Sequence, residues 1–344
     1  MEKASSTRID GFNIPLYGYR TRHTGFGYAW PGTIPACFSL SRLGDGPAVY
    51  IQGTLHSHEM PGMVAIDRLI PLLETAENDQ RLAGSVTLVP HANPIGLTQA
   101  VFGETLGRFD LNSRINFNRS FPTEAAIKLT GRPAAERLKA TLLTLAAEAD
   151  VVLDLHCDDE GPVYLYVAER HLDEGRRVAQ AMQATVILTD PSDDPISFDL
   201  AVGIRWAAER RAGDARFAAT IELRGMMDGT PAFADQDAKG LYRYLVDIGT
   251  VIDELPAISP GEPISGDVDA AQLIPTPVPG ALLYDVEIGD WVTEGQRLAV
   301  VLSGTGTVHH EIRSPFEGLV MTRRDRRFVR RGGDIIKVLR HPMP

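Results

Sequence analysis

Cysteine is almost absent: the 344-residue chain holds only Cys37 and Cys157. Two thiols cannot make a disulfide framework, so the fold must rest on burial, and a reducing, cytoplasmic compartment is expected. Positive charge is scarce as well, with 34 Lys and Arg against 45 Asp and Glu, for a net charge of −11. Such a surface repels phosphate backbones and anionic membranes, so neither nucleic acid nor a membrane is an expected partner. The exception is a basic stretch from Arg323 to Arg331, whose plainest reading is a solvated face, with an acidic ligand or a partner subunit as the alternative. Long apolar runs are missing: none is long enough to span a bilayer, and the opening MEKASSTRIDGFNIPL lacks the apolar core of a signal peptide. Solenoid-type repeats and low-complexity tracts are missing too.

What is present is ordinary globular material, 44% hydrophobic and 23% charged, enough for a sizeable core. At this length one large domain plus a small one is expected. AVYIQGT, SVTLVPHAN, VVLDLH, VYLYVA, TVILTD and FAATIELRG are short, rich in Val, Ile and Leu, and bounded by polar or turn residues, which predicts buried strands. Helical patterns lie between them at Pro61–Ala76, Arg132–Ala149, Asp173–Gln183, Ile204–Arg211 and Asp235–Leu255. This alternation predicts an α/β class: a three-layer α/β/α domain with a mostly parallel mixed sheet covered on both faces. After Leu255 the Pro- and Gly-punctuated LPAISPGEPISGDVD ends the helical pattern, and only strand and turn signals follow. The expected division is therefore 1–258 for the α/β domain and 259–344 for a small all-β domain.

Three segments carry chemistry, each where a predicted strand ends. GTLHSHEMPG sets His56 three residues before Glu59, LDLHCDDEG closes a strand at His156, and ATIELRG ends one at Glu222. Ligands of open α/β sheets bind outside the carboxyl ends of the strands, so the three can share one crevice. Two imidazoles and a carboxylate offer a divalent ion three protein ligands and leave a position for water, which the metal acidifies to a pKa near ~7. A separate carboxylate can then carry the proton to a leaving amine. Taken singly, each group has a plainer reading. His56 and Glu59 can be turn residues, His156 a satisfied core or rim histidine, and Glu222 a salt-bridge partner of Arg224. Cys157 beside His156 is a poor nucleophile candidate, because adjacent strand residues face opposite ways. Tyr164 and Tyr166 share one strand face, either lining the pocket or filling the core.

HSHE, GRFDLNSRINFNRSFP, LDLHCDDEG and TIELRG together resemble the succinylglutamate desuccinylase/aspartoacylase family, relatives of zinc carboxypeptidases, over residues 45 to 255. The resemblance implies Zn2+ held by His56, Glu59 and His156, with Glu222 as general acid/base. It implies that Asn118 and Arg119 in NFNRSFP grip a substrate carboxylate, and that an upstream arginine serves the oxyanion; Arg108 fits best, with Arg114 as rival. The function it implies is deacylation of a small N-acyl amino acid or similar amide. A carboxypeptidase acting on peptides and a non-catalytic small-molecule-binding relative are the alternatives, and a homo-oligomer is left open. Asn93 in PHANPIGL resembles a structural Asn-Pro segment of these enzymes. His58, where many relatives carry a small residue, and the acidic Asp158-Asp159-Glu160 are departures; the acidic trio is either a hydrated loop or a match for a cationic substrate group. The tail, with GDWVTEGQRL, SPFEGLV and GGDIIKVL, resembles a lipoyl/biotinyl-type barrel-sandwich, yet its hairpin SGTGTVHHEIR has no lysine, so no swinging-arm carrier is expected.

Overall fold

The computed structural model describes residues 6–9, 12–15, 36–40, 44–122, 131–192, 197–209, 216–304 and 308–342. In chain order, β1 (Ser6–Ile9) and β2 (Phe12–Pro15) pair antiparallel, and β3 (Ala36–Leu40) follows. Next come β4 (Ala48–Gly53), α1 (Pro61–Asn78), β5 (Ser85–His91), α2 (Pro94–Leu97) and the short pair β6 (Ala100–Val101) and β7 (Glu104–Thr105). Then α3 (Ala134–Ala146), β8 (Val151–Asp158), β9 (Val163–Ala168), α4 (Leu172–Met182) and β10 (Val186–Asp190) lead into α5 (Phe198–Glu209), β11 (Phe217–Gly225) and α6 (Pro231–Asp247). All six apolar runs are thus strands, and each helical pattern falls on one of the longer helices, although α6 stops at Asp247 rather than Leu255 and residues 210–211 of the pattern on α5 lie outside the described residues.

β12 (Ile264–Asp267) completes an eight-stranded sheet in the order β12-β10-β9-β11-β8-β4-β5-β3. Five neighbouring pairs are parallel, while β9–β11 and β3–β5 are antiparallel. The sheet is mostly parallel, as the alternation predicts, and the two antiparallel pairs make it mixed. One face packs Ile51, Leu153, Leu165 and Ile221 against α1, α4 and α6; the other packs Tyr50, Val152 and Ala218 against α3 and α5. β12 lies beyond the Pro- and Gly-rich stretch, so the chain past residue 258 adds one strand to the large sheet before building the small unit.

That unit comprises β13 (Ala271–Pro275), β14 (Gly280–Tyr284), β15 (Trp291–Val292), β16 (Arg297–Ser303), β17 (Val308–Arg313), β18 (Gly318–Arg323), β19 (Phe328–Val329) and β20 (Asp334–Arg340). They form two four-stranded antiparallel sheets, β13-β20-β18-β15 and β17-β16-β14-β19, closed over Leu282, Leu298, Val301, Val320 and Val338. The unit docks on the large sheet through Leu319, Met321 and Leu339, which meet Tyr164, Val186 and Leu188. Glu160 and Arg323 add a two-way backbone bridge, N to O at 3.1 and 3.0 Å. The basic stretch contributes here: Arg323 pairs with Glu160 and Glu287, Arg327 with Glu160, and Arg326 with Glu104. These three arginines are engaged within the chain rather than simply solvated. Among the described residues no helix is long and apolar enough to cross a membrane.

Helix α1 fixes where the first motif lies. Pro61 supplies a helix-ready φ at its start, and Gly62 lets the helix press onto the sheet. A Cβ at Gly62 would lie 2.8 Å from Leu155 Cβ and 3.0 Å from Leu155 O. We expect Gly62→Ala to lower unfolding stability by about 1–3 kcal/mol through this clash. Denaturant unfolding checks it, and a shift below about 0.5 kcal/mol would mean that the contact relaxes freely.

Candidate metal centre and active site

The sheet register builds the site. Opposite residues on paired strands share a face, and His156 on β8, Glu222 on β11 and Tyr164 on β9 are aligned partners. Asp154, Thr220 and Tyr166 form the next row, which Gln52 on β4 joins through Asp154. Polar side chains thus occupy one end of a face that is apolar elsewhere. In VVLDLHCD the polar residues Asp154, His156 and Asp158 alternate with Leu153, Leu155 and Cys157, which is the period of a strand.

After β4 the chain turns sharply. Thr54 takes a φ of 57°, uncommon for a β-branched residue, and its Oγ1 donates to Pro90 O at 2.9 Å. The following turn is clamped by Ser57, whose N–H donates to Gly107 O and whose Oγ donates to Asn93 O. Asn93 caps α2 by accepting from Gly96 N–H and donates to Leu55 O, so it is structural, as its motif implied. The turn places Glu59 beneath both imidazoles. His56 Nδ1 lies 2.9 Å from Glu59 Oε1, and His156 Nδ1 lies 2.7 Å from Glu59 Oε2. All three residues are buried, and their ligand atoms lie within 4.8 Å of one another.

The other ring nitrogens are held from behind. His56 Nε2 meets Asn116 Oδ1 at 2.8 Å, and His156 Nε2 meets Asp154 Oδ2 at 2.9 Å. Gln52 donates to the second Asp154 oxygen at 2.9 Å, and Tyr50 donates to Gln52. An acceptor on the far nitrogen fixes the tautomer and aims the near nitrogen, the arrangement that metal-ligating histidines need. Burial pushes the His56 imidazole down, against the pull of Glu59, which favours the neutral ligating form. Burial also disfavours charge on Glu59, but His56 and His156 outweigh it and hold the carboxyl well below its ordinary range. His156 is lowered by burial and raised further by Asp154 and Glu59, ending well above its ordinary value.

Glu222 is a contrasting carboxylate. Burial, reinforced by Asp158 and Glu59 against the pull of His156 and Lys337, pushes it up to about 8. Its Oε2 is shut off from solvent and has no hydrogen-bond partner. It is not tied to Arg224, whose guanidinium forms a buried ion pair with Asp237.

The arginines divide clearly. Arg108 Nη1 donates to Glu59 Oε1 at 3.1 Å, while its side chain stays 49% exposed, open to a ligand. Arg114, at φ 60°, is exposed, and its backbone N–H is engaged with Asp110 O. Arg119 donates to its own neighbour, Asn118 O, at 2.7 Å. Asn118 is buried; its Oδ1 accepts from Phe198 N–H, and its Nδ2 lies 3.4 Å from His156 Nε2. Lys139 holds this segment by donating to the carbonyls of Asn116 and Arg119.

Cys157 is buried on the opposite face, and desolvation with nearby carboxylates raises its thiol far above the range of a reactive thiolate. His58 is part-buried, with Nε2 4.0 Å from Glu59 Oε1 and Nδ1 without a partner. The acidic trio is divided. Asp158 accepts from Tyr164 and Lys337, Glu160 binds the β unit, and Asp159 makes no side-chain ion pair with a described residue. Asn116, Asp154 and Lys337 were not singled out from the sequence. Asn116 had a signal, standing two residues before Asn118 in NFNR, and Asp154 had one in its two-residue spacing from His156.

Residues 45–248 match the model of the succinylglutamate desuccinylase/aspartoacylase catalytic domain. Over 308 residues the chain is 30% identical to the N-alpha-acetyl-L-2,4-diaminobutyric acid deacetylase of Halomonas elongata, covering 86% of this chain and 82% of that one. Among solved structures, a succinylglutamate desuccinylase/aspartoacylase family protein of Shewanella amazonensis superposes with a TM-score of 0.78 at 26% identity, covering 88% of this chain and 93% of the other. The ectoine utilization protein EutE of Ruegeria pomeroyi shares the fold with a TM-score of 0.69 at 20% identity, covering 89% and 88%. With its buried His-Glu-His group and its desolvated glutamate on a mostly parallel sheet, the chain belongs to the succinylglutamate desuccinylase/aspartoacylase family.

Proposed function

We propose that this protein is a zinc-dependent amidohydrolase that releases a free amino acid from an N-acylated amino acid. The observation that carries this is an adjacency. A buried group, His56, Glu59 and His156, lies one strand away from Glu222, a part-buried carboxylate with one oxygen shut off from water and unpartnered. The donor set fits a divalent ion, since two aimed imidazole nitrogens and an ionised carboxylate converge while acceptors hold the far ring nitrogens. Bound there, zinc would supply an acidified water and a polarised carbonyl.

The remaining roles belong to the chain's own groups. Glu222, in its ionised form, takes the proton of the attacking water and returns it to the departing nitrogen, its raised proton affinity making it the stronger base. Arg108, beside Glu59 and half exposed, donates to the oxyanion that develops on the carbonyl oxygen. Arg119 holds the substrate carboxylate, and Asn118, fixed by Phe198 N–H, sets the backbone that aims it. A small substrate is favoured over a peptide, because Arg323 and Arg327 tie the β unit to the loop directly after His156.

The Halomonas relative is named for a substrate with a second amino group. Here Asp159 offers a matching carboxylate: burial, with Asp325 and Asp158, pushes it up to about 6, and Arg108 lies within its electrostatic reach. We therefore infer a substrate with a cationic side chain. Asp159→Asn is expected to raise KM for an N-acetylated diamino acid roughly tenfold, the size of one charge-assisted contact, while sparing N-acetylalanine. Steady-state kinetics on both substrates checks this, and an equal effect on both would remove Asp159 from specificity.

Glu222→Gln should lower kcat by about 100- to 10,000-fold while bound zinc is retained. Turnover together with elemental analysis tests this, and near-normal kcat would remove Glu222 from proton transfer. The same variant carries a stability signature in the metal-free protein. The folded value near 8 lies above the ordinary 4.5, so the native state keeps a proton that the unfolded chain has lost between these limits. Wild-type stability therefore falls as pH rises through that window. Metal-free Glu222→Gln should match wild type near pH 5 and exceed it by a few kcal/mol, at most about 4, near pH 8. Denaturant unfolding at both pH values decides it, and a pH-independent difference would contradict the environment described for Glu222.

A further inference from the structure

One buried cation is left without a role by the reaction above. Lys337 lies on β20 of the small unit, with its side chain 12% exposed. Its Nζ donates to Asp158 Oδ2 at 2.8 Å, to Tyr164 OH at 2.9 Å and to Tyr166 OH at 3.4 Å. An ammonium has three N–H donors, and here all three find an acceptor. Docking alone does not require it, because the neighbouring contacts of the same unit, Leu319, Met321 and Leu339, are apolar. A cation buried where a hydrophobe would stabilise at least as well points to a role in the groups that it meets.

Those groups are two tyrosines on the face that carries Glu222. Tyr164 is the aligned partner of Glu222, and Tyr166 stands one row further along. The protons can be followed. Tyr164 donates to Asp158 Oδ2 at 2.8 Å and so uses its hydrogen. Tyr166 accepts from Lys337, and its only other hydrogen-bond partner among the described residues is Tyr164 OH at 3.4 Å. Its own hydrogen therefore has no strong acceptor among the described residues. The Tyr166 side chain is part-exposed and lies within electrostatic reach of the Arg119 guanidinium. A hydroxyl that accepts from an ammonium is polarised and becomes a stronger donor.

We propose that Tyr166 is a further substrate-binding residue, whose hydroxyl donates to the carboxylate held by Arg119, and that Lys337 is the positioning residue that orients and polarises it. The inference rests on the amidohydrolase reading and deepens it. It makes the C-terminal β unit a working part of the substrate pocket, because removing that unit would remove Lys337.

Tyr166→Phe deletes the hydroxyl and leaves the ring. With an N-acyl amino acid it should raise KM about ten- to a hundredfold, the range for a hydrogen bond to a charged group, and change kcat by less than about threefold. With the matching carboxamide, which has no carboxylate, the KM change should be under about twofold. Lys337→Met should reproduce the KM effect and Lys337→Arg should recover most of it. A purely structural role would instead lower kcat for both ligands alike. If Lys337→Met does not fold, Tyr166→Phe decides alone. Dissociation constants for both ligands, measured by calorimetry in the Glu222→Gln background, separate this inference from the reading beneath it. Hydrolysis by the wild type with no carboxylate-selective loss in Tyr166→Phe overturns the inference and leaves the function standing. Absence of hydrolysis by the wild type with a Tyr166-dependent Kd overturns the function and leaves the pocket. Absence of both turnover and binding overturns both.

Discussion

A carboxylate shut away from water must be paired, and Glu59 is paired on both oxygens by imidazoles that come from different parts of the chain. That double pairing is what the site depends on. It requires the sharp turn at Thr54, the close approach of α1 allowed by Gly62, and the alignment of β4 with β8 that delivers His156. Were one imidazole removed, a buried charge would be left half satisfied, at about 3–5 kcal/mol for a broken buried pair.

The sheet acts as a ruler for everything else. Parallel pairing of β8 with β11 sets Glu222 beside His156, and antiparallel pairing of β11 with β9 sets Tyr164 on the other side. The two carboxylates therefore have opposite environments within one crevice. Glu59 is held ionised by two histidines, whereas Glu222 is desolvated and pushed toward neutrality. Separation of this kind is what the proposed division of labour requires, with Glu59 as a ligand and Glu222 as the proton carrier. The small β unit closes the arrangement from one side, stitched to the loop after His156 by Glu160 and Arg323.

Much of this was legible in the sequence. The six short apolar runs are the strands around the site, and strand ends carrying His56, His156 and Glu222 do converge. Legibility fails where contacts are remote in sequence. Lys337 is an unremarkable lysine in IIKVL until the small unit brings it 179 residues back to Asp158. β12 reads as the start of the all-β tail, but backbone pairing with β10 places it in the large sheet, and composition carries no record of that pairing. The basic run likewise shows its acidic partners only once Glu160 and Glu104 come within reach. Asn116 was closer to legible, yet its contact with His56 spans a turn whose shape depends on Gly107, against which Ser57 packs.

The central claim is that His56, Glu59 and His156 hold a metal ion that makes amide hydrolysis proceed. The most direct test combines elemental analysis of the purified protein with release of free amino acid from a panel of N-acetyl and N-succinyl amino acids, before and after chelation. The account predicts about one zinc per chain, hydrolysis of at least one panel member, loss of turnover on chelation and its return on adding zinc. A protein that carries no metal, recruits none when zinc is supplied and turns over no substrate would contradict it, leaving the buried His-Glu-His group as a structural ion pair.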